Sequence, residues 1–333
     1  MATIKDIAKE TGLGLATISK YINGGNVLQK NKVAIDTAID KFGYIANDLA
    51  RGLRTKKSNI IGVVVPEINN TFTTTIITNI GDILRKNGFG MVVCECHSDP
   101  VLEIEVVRFL MSKCVDGIVS MPVSQNDDAF KPVVNAKIPI VLIDRLIPSL
   151  MEHANAVIVD NVAASACAVD YLIKNGHKDI GIILGPHNIF TSQQRLLGYS
   201  QEMIKNLIHP IEARTIFSDY SLQGGYESMN HLLQDKGLTA VFVTNYEMTL
   251  GAIIALNEAG IQIPKQLSII GFDNMQLAQV INPRLTIITQ PLEEIGQQVA
   301  KILLSNLIDG HKKPQTILLS ADIIEGKSVK SLL

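Results

Sequence analysis

The chain changes its hydrophobic period near residue 60. Before that point apolar residues recur at helical spacing in three short stretches; after it, β-branched runs alternate with amphipathic segments. In the first part, Thr3 predicts an N-cap for a helix from Ile4. Its inner face carries Ile4, Ile7, Ala8 and Thr11, Asp6 stands in its first turn, and Gly12 ends it. A second helix is expected from Leu15 to Asn23, with Leu15, Ile18 and Ile22 as its apolar stripe and Asn23-Gly24-Gly25 as its stop. Two short helices joined by a Gly-containing turn make a helix-turn-helix unit, although the pattern alone also fits an ordinary helical hairpin. A third helix, Lys30 to Phe42, offers Val33, Ile35, Thr37, Ala38 and Phe42 to close a miniature core before Gly43.

Beyond residue 60 the runs IIGVVV, MVVCEC, DGIVSM and PIVLID read as strands, with helices expected around Ile76 to Leu84 and Val106 to Met111. The rhythm restarts at AVIVD, followed by DIGIILG, AVFVT and LSIIGFD. This is βαβ alternation, so two parallel sheets covered by helices are expected. Neither half carries G-x-G-x-x-G or a phosphate-binding loop, which counts against a nucleotide enzyme.

Charge follows the same division. Residues 1 to 58 hold ten Lys and Arg against five Asp and Glu, a net of +5, leaving 20 against 27, or −7, for the remainder. A basic head suits release of counterions from phosphates, and an acidic body would repel nucleic acid beyond the head's reach. At 333 residues and 47% hydrophobic the chain exceeds one average domain, so one small and one large domain are expected. MATIKDIAKE offers no apolar stretch to act as a signal, and no window approaches the roughly 20 apolar residues of a membrane span. A cytoplasmic protein without membrane attachment is the expectation.

Cys94, Cys96, Cys114 and Cys167 are scattered apart from one C-x-C, whose cysteines alternate along a strand next to His97 and so read as core rather than metal ligands. His97, His153, His177, His187 and His209 are dispersed and read as surface or capping residues. No Ser-His-Asp order, H-E-x-x-H or paired catalytic carboxylates emerge, so neither enzyme activity, metal nor cofactor is expected.

The runs TIKDIAKETGLGLATISKYING and FGYIANDLARGLRTKKSNIIGVVVP closely resemble the LacI/GalR family of bacterial transcription regulators, and the likeness continues to the C-terminus. The resemblance implies an all-α helix-turn-helix headpiece over 1–46, a hinge helix and linker over 47–59, and an α/β periplasmic-binding-protein-like body of two lobes with parallel sheets over 60–333. The N-lobe would take about 60–159 and 290–320, the C-lobe about 160–289 and 321–333. It also implies a homodimer on pseudo-palindromic double-stranded operator DNA, a repressor of carbohydrate-utilisation genes controlled by a small-molecule effector.

On that likeness the Leu15 helix enters the major groove. Leu15 and Ala16 occupy the main specificity positions, with Thr17, Ser19 and Lys20 near bases or phosphates and Thr3, Asn23 and Tyr44 completing the headpiece contacts. Leu15 and Ala16 can offer apolar contact, as to thymine methyls, whereas Lys20 can donate to guanine or phosphate. In the hinge, Asn47 is an N-cap, Leu49, Ala50 and Leu53 share a face, and Asn47, Ala50, Arg51, Leu53 and Arg54 meet DNA, with Leu53 wedged into a minor-groove step. A helix this short is unstable alone and needs a partner and DNA. Three residues depart from the family pattern: Gly14 replaces a capping Ser, Lys20 replaces Arg, and Ala46 stands where Pro is usual. A Gly cap costs only a few tenths of a kcal/mol, whereas Lys for Arg loses bidentate geometry.

For the effector, the motifs PEINNTF, LIDR, FTSQQRLLGY, SDY, TNYE and GFDN supply Asn70, Phe72, Thr73, Asp144, Arg145, Thr191, Arg195, Tyr220, Asn245 and Asp273, all at expected strand ends, where open parallel sheets bind ligands. Phe72 and Tyr220 could stack on a sugar face while Asn245, Arg195 and Asp273 bond hydroxyls. Tyr246 stands where the family commonly has Asp. With Arg145 and Arg195 facing the cleft, that points to a sugar acid or sugar phosphate. An alternative is a catabolite-control-type regulator whose corepressor is a phosphorylated carrier protein, although QPLEEIGQQVAKILLSNL offers Glu293 and Glu294 beside only Lys301. The C-terminus KSVKSLL lacks a sustained heptad, which leaves a dimer as the economical assembly.

Overall fold

The computed structural model describes residues 2–22, 24–44, 57–208, 214–273, 275–310 and 312–333. The chain divides into two units, Met1–Ser58 and Asn59–Leu333.

The first unit holds α1 (Ile4–Thr11), α2 (Leu15–Ile22) and α3 (Gln29–Phe42). At the start of α1 the Thr3 N–H and hydroxyl both donate to the Asp6 carboxylate at 2.8 Å, and these bonds hold the Asp6 pKa below its ordinary value. Gly12, with φ 66°, closes α1 through its N–H to the Ala8 carbonyl. The core is Ile7, Ile18, Ile35 and Ala38, with Ile4, Ala8, Leu13, Tyr21, Ile22, Ile39 and Tyr44 packed around it. Three expected core positions fail. Val33 (56% exposed), Phe42 and Thr37 face outward, because α3 turns Ile35, Ala38 and Ile39 inward. Leu15 also leaves the predicted stripe, being 48% exposed at the helix start.

The second unit contains two six-stranded sheets. The N-lobe sheet runs β2 (Gly90–Glu95), β1 (Ile60–Val65), β3 (Gly117–Ser120), β4 (Ile140–Ile143), β5 (Asn155–Val159) and β11 (Thr316–Leu319), all parallel. The C-lobe sheet runs β7 (Thr215–Phe217), β6 (Ile180–Leu184), β8 (Ala240–Val243), β9 (Ser268–Phe272), β10 (Thr286–Thr289) and β12 (Asp322–Ile324), parallel except for β12. AVIVD therefore belongs to the first sheet. Pairing of Val141 with Asn155 and of Ile143 with Val157 places it beside β4, so the rhythm restarts after Val159 rather than at Ala156.

The N-lobe helices are α4 (Thr71–Lys86), α5 (Pro100–Ser112) and α6 (Lys131–Asn135). The C-lobe carries α7 (Asn161–Lys174), α8 (Phe190–Lys205), α9 (Leu222–Leu232), α10 (Tyr246–Glu258) and α11 (Met275–Val280). Helix α12 (Leu292–Asp309) returns to the N-lobe, burying Ile295, Val299 and Leu303 with Ile76 and Ile80 of α4. The chain thus crosses between lobes three times, before α7, between β10 and α12, and between β11 and β12. Each sheet has apolar clusters on both faces, which explains why its strands are continuous β-branched runs. Among the described residues no helix is long and apolar enough to cross a membrane.

Candidate functional site

At the carboxyl ends of both sheets lies a cavity of about 740 Å³ between the two lobes. All ten residues singled out from strand-end motifs border it: Asn70, Phe72, Thr73, Asp144 and Arg145 from the N-lobe, and Thr191, Arg195, Tyr220, Asn245 and Asp273 from the C-lobe. Each sheet contributes where its strand order reverses, at β1 and at β6, the position at which adjacent crossovers diverge and leave a crevice.

Local backbone chemistry sets these side chains. Asn70 caps α4 by accepting from Phe72 N–H at 2.8 Å, and Asn245 caps α10 by accepting from Met248 N–H at 2.9 Å. Phe72 is half-buried on the N-lobe core. Asp144, Tyr220 and Asp273 leave their strands with φ between 61° and 67°, a left-handed conformation that costs a non-glycine residue energy and recurs at binding sites. The Tyr220 hydroxyl bonds Ser192 and Thr191 at 2.7 and 3.0 Å, and its ring lies so close to Gly185 that a Cβ there would stand 2.0 Å away. Glycine at 185 therefore makes room for the ring.

The arginines are less free than their sequence positions imply. Arg195, 5% exposed, donates from Nε to Asn161 Oδ1 at 2.8 Å and from Nη1 to the Thr244 carbonyl, and its guanidinium lies 3.9 Å from the centre of the Phe272 ring. Arg145 donates from Nη1 to the Pro122 carbonyl at 3.2 Å and sits 3.4 Å from Asp144 Oδ2. Acids outnumber them: Glu67, Asp144, Asp219, Glu247 and Asp273 all border the cavity. Burial, reinforced by Glu67, pushes the Glu247 carboxyl up. Asp273 keeps some surface toward the cavity but is otherwise enclosed, and burial pushes its pKa to about 6 against the opposing pull of Arg195 and Gln290. The absence of an acid at Tyr246 is thus offset by Glu247 one residue later. Both arginines thus border the cavity with part of their guanidinium groups already engaged by the protein, among five acids.

Gln290, Glu67 and Glu247 line the cavity without having been singled out in the sequence. Gln290 follows a four-residue strand and precedes Pro291 at a lobe crossover, so only the short TIITQP run could have flagged it. A further contact spans the mouth: Gln125 Nε2, after β3, donates to the Asn188 carbonyl, after β6.

In the first unit, Leu15, Ala16 and Lys20 of α2 are exposed, with Thr17 and Ser19 partly so; Thr3 is exposed at the start of α1. Tyr44 packs partly on the core. Asn23, Asn47, Ala50, Arg51, Leu53 and Arg54, and with them the expected hinge helix, lie outside the described residues. So does His209. Of the other histidines, His177 is fully buried rather than superficial, because its ring bridges Thr239 and the Lys330 carbonyl. Cys96 is buried in the N-lobe core with Cys94 packed against the same cluster, while Cys114 and Cys167 are exposed.

Two parallel sheets with a cavity at their facing strand ends define a periplasmic-binding-protein-like body, and residues 169–329 match the family model described as "Periplasmic binding protein-like domain". Over whole chains the protein is 30% identical to catabolite control protein A of Priestia megaterium, covering 90% of this chain and 91% of that one, and 31% identical to the transcriptional repressor PurR of Haemophilus influenzae, covering all of both. Among solved structures, a LacI family transcriptional regulator from Enterococcus faecium with bound ribose is 30% identical, with a TM-score of 0.74 over 82% of this chain and 100% of that one. The lac repressor dimer bound to operator and the anti-inducer ONPF shares the fold, with a TM-score of 0.88 over 99% of both chains at 24% identity. The chain belongs to the LacI/GalR family of bacterial transcription regulators. It is a transcriptional regulator, not an enzyme.

Proposed function

We propose that this protein is a cytoplasmic repressor that binds a pseudo-palindromic operator as a homodimer and is controlled by a neutral monosaccharide in the cleft between its lobes. The observation that carries the effector reading is the charge arrangement around the cavity. Five carboxylates face two arginines whose guanidinium groups already bond Pro122, Asn161 and Thr244. An anionic effector would add charge to an acidic wall, whereas sugar hydroxyls donate to Asp144 and Asp273 and accept from what remains of Arg145 and Arg195. Phe72 and Tyr220 supply apolar surface for a ring face. The sugar acid or sugar phosphate expected from the motifs alone is the competing reading.

DNA binding is assigned to the basic head. Exposed Leu15 and Ala16 suit methyl contact in the major groove and Lys20 suits a phosphate or guanine, while residues 47–54 are assigned to the hinge by family likeness. A relative solved with ribose makes ribose the first sugar to test. The carrier-protein reading rests on likeness to catabolite control protein A, and the exposed Glu293 and Glu294 at the start of α12 would repel a phosphorylated partner.

Isothermal titration calorimetry of the purified protein against ribose, galactose and glucose, beside ribose 5-phosphate and gluconate, tests the assignment. Saturable binding of a neutral sugar that shifts operator affinity is expected. Tight binding of the phosphate or acid, with every neutral sugar ignored, would sink it.

A further inference from the structure

One peptide group beside the cleft is held at both polar ends by charged side chains. The carbonyl oxygen of Pro122 accepts from Arg145 Nη1 at 3.2 Å, and the N–H of Val123, the other end of that same peptide unit, donates to Glu103 Oε1 at 3.0 Å. Glu103 stands in the first turn of α5 and is completely buried, so its carboxylate was taken out of water at considerable cost. Burial pushes the Glu103 carboxyl up, while the Val123 and Ser124 N–H groups and the Arg145 charge favour its ionised form. On the opposite side, Arg145 Nε has no hydrogen-bond partner among the described residues, and the Asp144 contact at 3.4 Å is an ion pair rather than an aligned hydrogen bond. Among the described residues the bond to Pro122 is therefore the directional contact of this guanidinium, with the Asp144 charge beside it.

An anion at the N–H end of a peptide polarises it and makes its oxygen a stronger acceptor, while a cation at the oxygen end does the reverse service. Glu103 and Arg145 thus stabilise one another through a peptide neither covers alone. We propose that Glu103 is a positioning residue of the ligand cleft, holding Arg145 at the cavity wall through the Pro122–Val123 peptide and so setting the direction from which the guanidinium meets a ligand. This rests on the reading of the cavity as a ligand site. It also gives the buried carboxylate a purpose that core packing does not, since α5 could bury an apolar side chain of similar size there.

The experiment compares wild type, Glu103→Leu and Glu103→Gln in the full-length protein. Hydrogen exchange of the Arg145 Nε–H, followed by ¹⁵N NMR and assigned with Arg145→Lys, reads guanidinium order without any ligand; ribose titration and urea unfolding complete the set. Leu is expected to speed that exchange at least tenfold and weaken ribose binding about tenfold, and Gln, which keeps an acceptor but no charge, to speed exchange about threefold. Unchanged Arg145 exchange in a folded Leu variant overturns the proposal; should Leu not fold, unchanged exchange in the Gln variant does so. If wild type ignores ribose and other neutral sugars, the effector reading fails, while the exchange rates still decide the role of Glu103.

Discussion

Gln290 donates from Nε2 to Asp273 Oδ2 at 2.8 Å, joining the residue that follows β9 to the residue that carries the chain from the C-lobe into the N-lobe. Gln290 is 6% exposed, and its Oε1 has no hydrogen-bond partner among the described residues although the residue borders the cavity. A donor on a bound ligand would satisfy that oxygen, so the crossover and the ligand would share one polar cluster.

Asp273 is expected to make ligand binding pH-dependent. Its pKa of about 6 lies above the ordinary aspartate value because burial disfavours the charge. A sugar hydroxyl donating to the ionised carboxylate would compete with its proton, so affinity is expected to be flat above pH 7 and to fall by up to about tenfold per pH unit below 6. For folding the sign is opposite. The raised value contributes stability fully present below about pH 3.8 and lost as pH rises through 6. Calorimetric titrations of wild type and Asp273→Asn between pH 5 and 8 check the first expectation; a wild-type profile no steeper than that of Asn would refute it.

Arg195 should prove structural as much as functional. It ties Asn161, the first residue after one crossover, to the end of β8 and stacks on Phe272. Arg195→Lys keeps the charge but loses the planar fork, so a cost of about 2–4 kcal/mol in unfolding free energy is expected together with lost ligand binding. Urea denaturation measures it. A variant with wild-type stability would show that these contacts are incidental.

How much of this was legible depends on sequence distance. The strand-end motifs are local, so PEINNTF, LIDR and GFDN could be read directly, and parallel-sheet geometry brought their residues to one cavity. What those residues do to one another was not local. Arg195 finds its partners 34 and 49 positions away, and Glu103 reaches Val123 over 20, so the sequence could not show how far these side chains are already engaged. Gln290 escaped notice because its strand has four residues and ends against a proline. In the head, helical spacing marked Ile7, Ile18 and Ile35, but periodicity could not tell whether Val33 or Ile39 closed the core, because both are apolar on neighbouring faces of α3.

Lys20 is expected to contribute charge more than sequence preference to operator binding. It is exposed on α2, and an ammonium cannot fork onto guanine as a guanidinium does. Lys20→Ala should weaken all operators alike and, if the ammonium neutralises a single phosphate, reduce the slope of log affinity against log salt by about 1. Fluorescence anisotropy across a salt series, on a consensus site and single-base variants, separates the cases: weakening confined to one base pair would instead indicate direct readout.

His177 predicts acid sensitivity of the C-terminal segment. Its Nε2 lies 3.1 Å from the Lys330 carbonyl, which can only accept, so Nε2 carries the hydrogen; Nδ1, 3.0 Å from Thr239 Oγ1, then accepts from that hydroxyl. The neutral ring is therefore fully bonded and completely buried. Burial lowers its pKa, opposed by the Lys330 carbonyl and assisted by the Lys330 charge. A histidine with a depressed folded value contributes stability that is complete above its unfolded pKa, near 6.5, and is lost as pH falls below it. Thr239 Oγ1 can also donate to the Asp179 carbonyl at 3.1 Å and accept from a protonated Nδ1, so the cost of protonation is the burial of the charge rather than a lost hydrogen bond. Melting temperature should thus fall more between pH 7 and 5 in wild type than in His177→Gln, and backbone exchange at Lys330 to Leu332 should quicken over the same range. Parallel melting profiles for the two proteins would mean that this ring ties down the C-terminus without sensing protons.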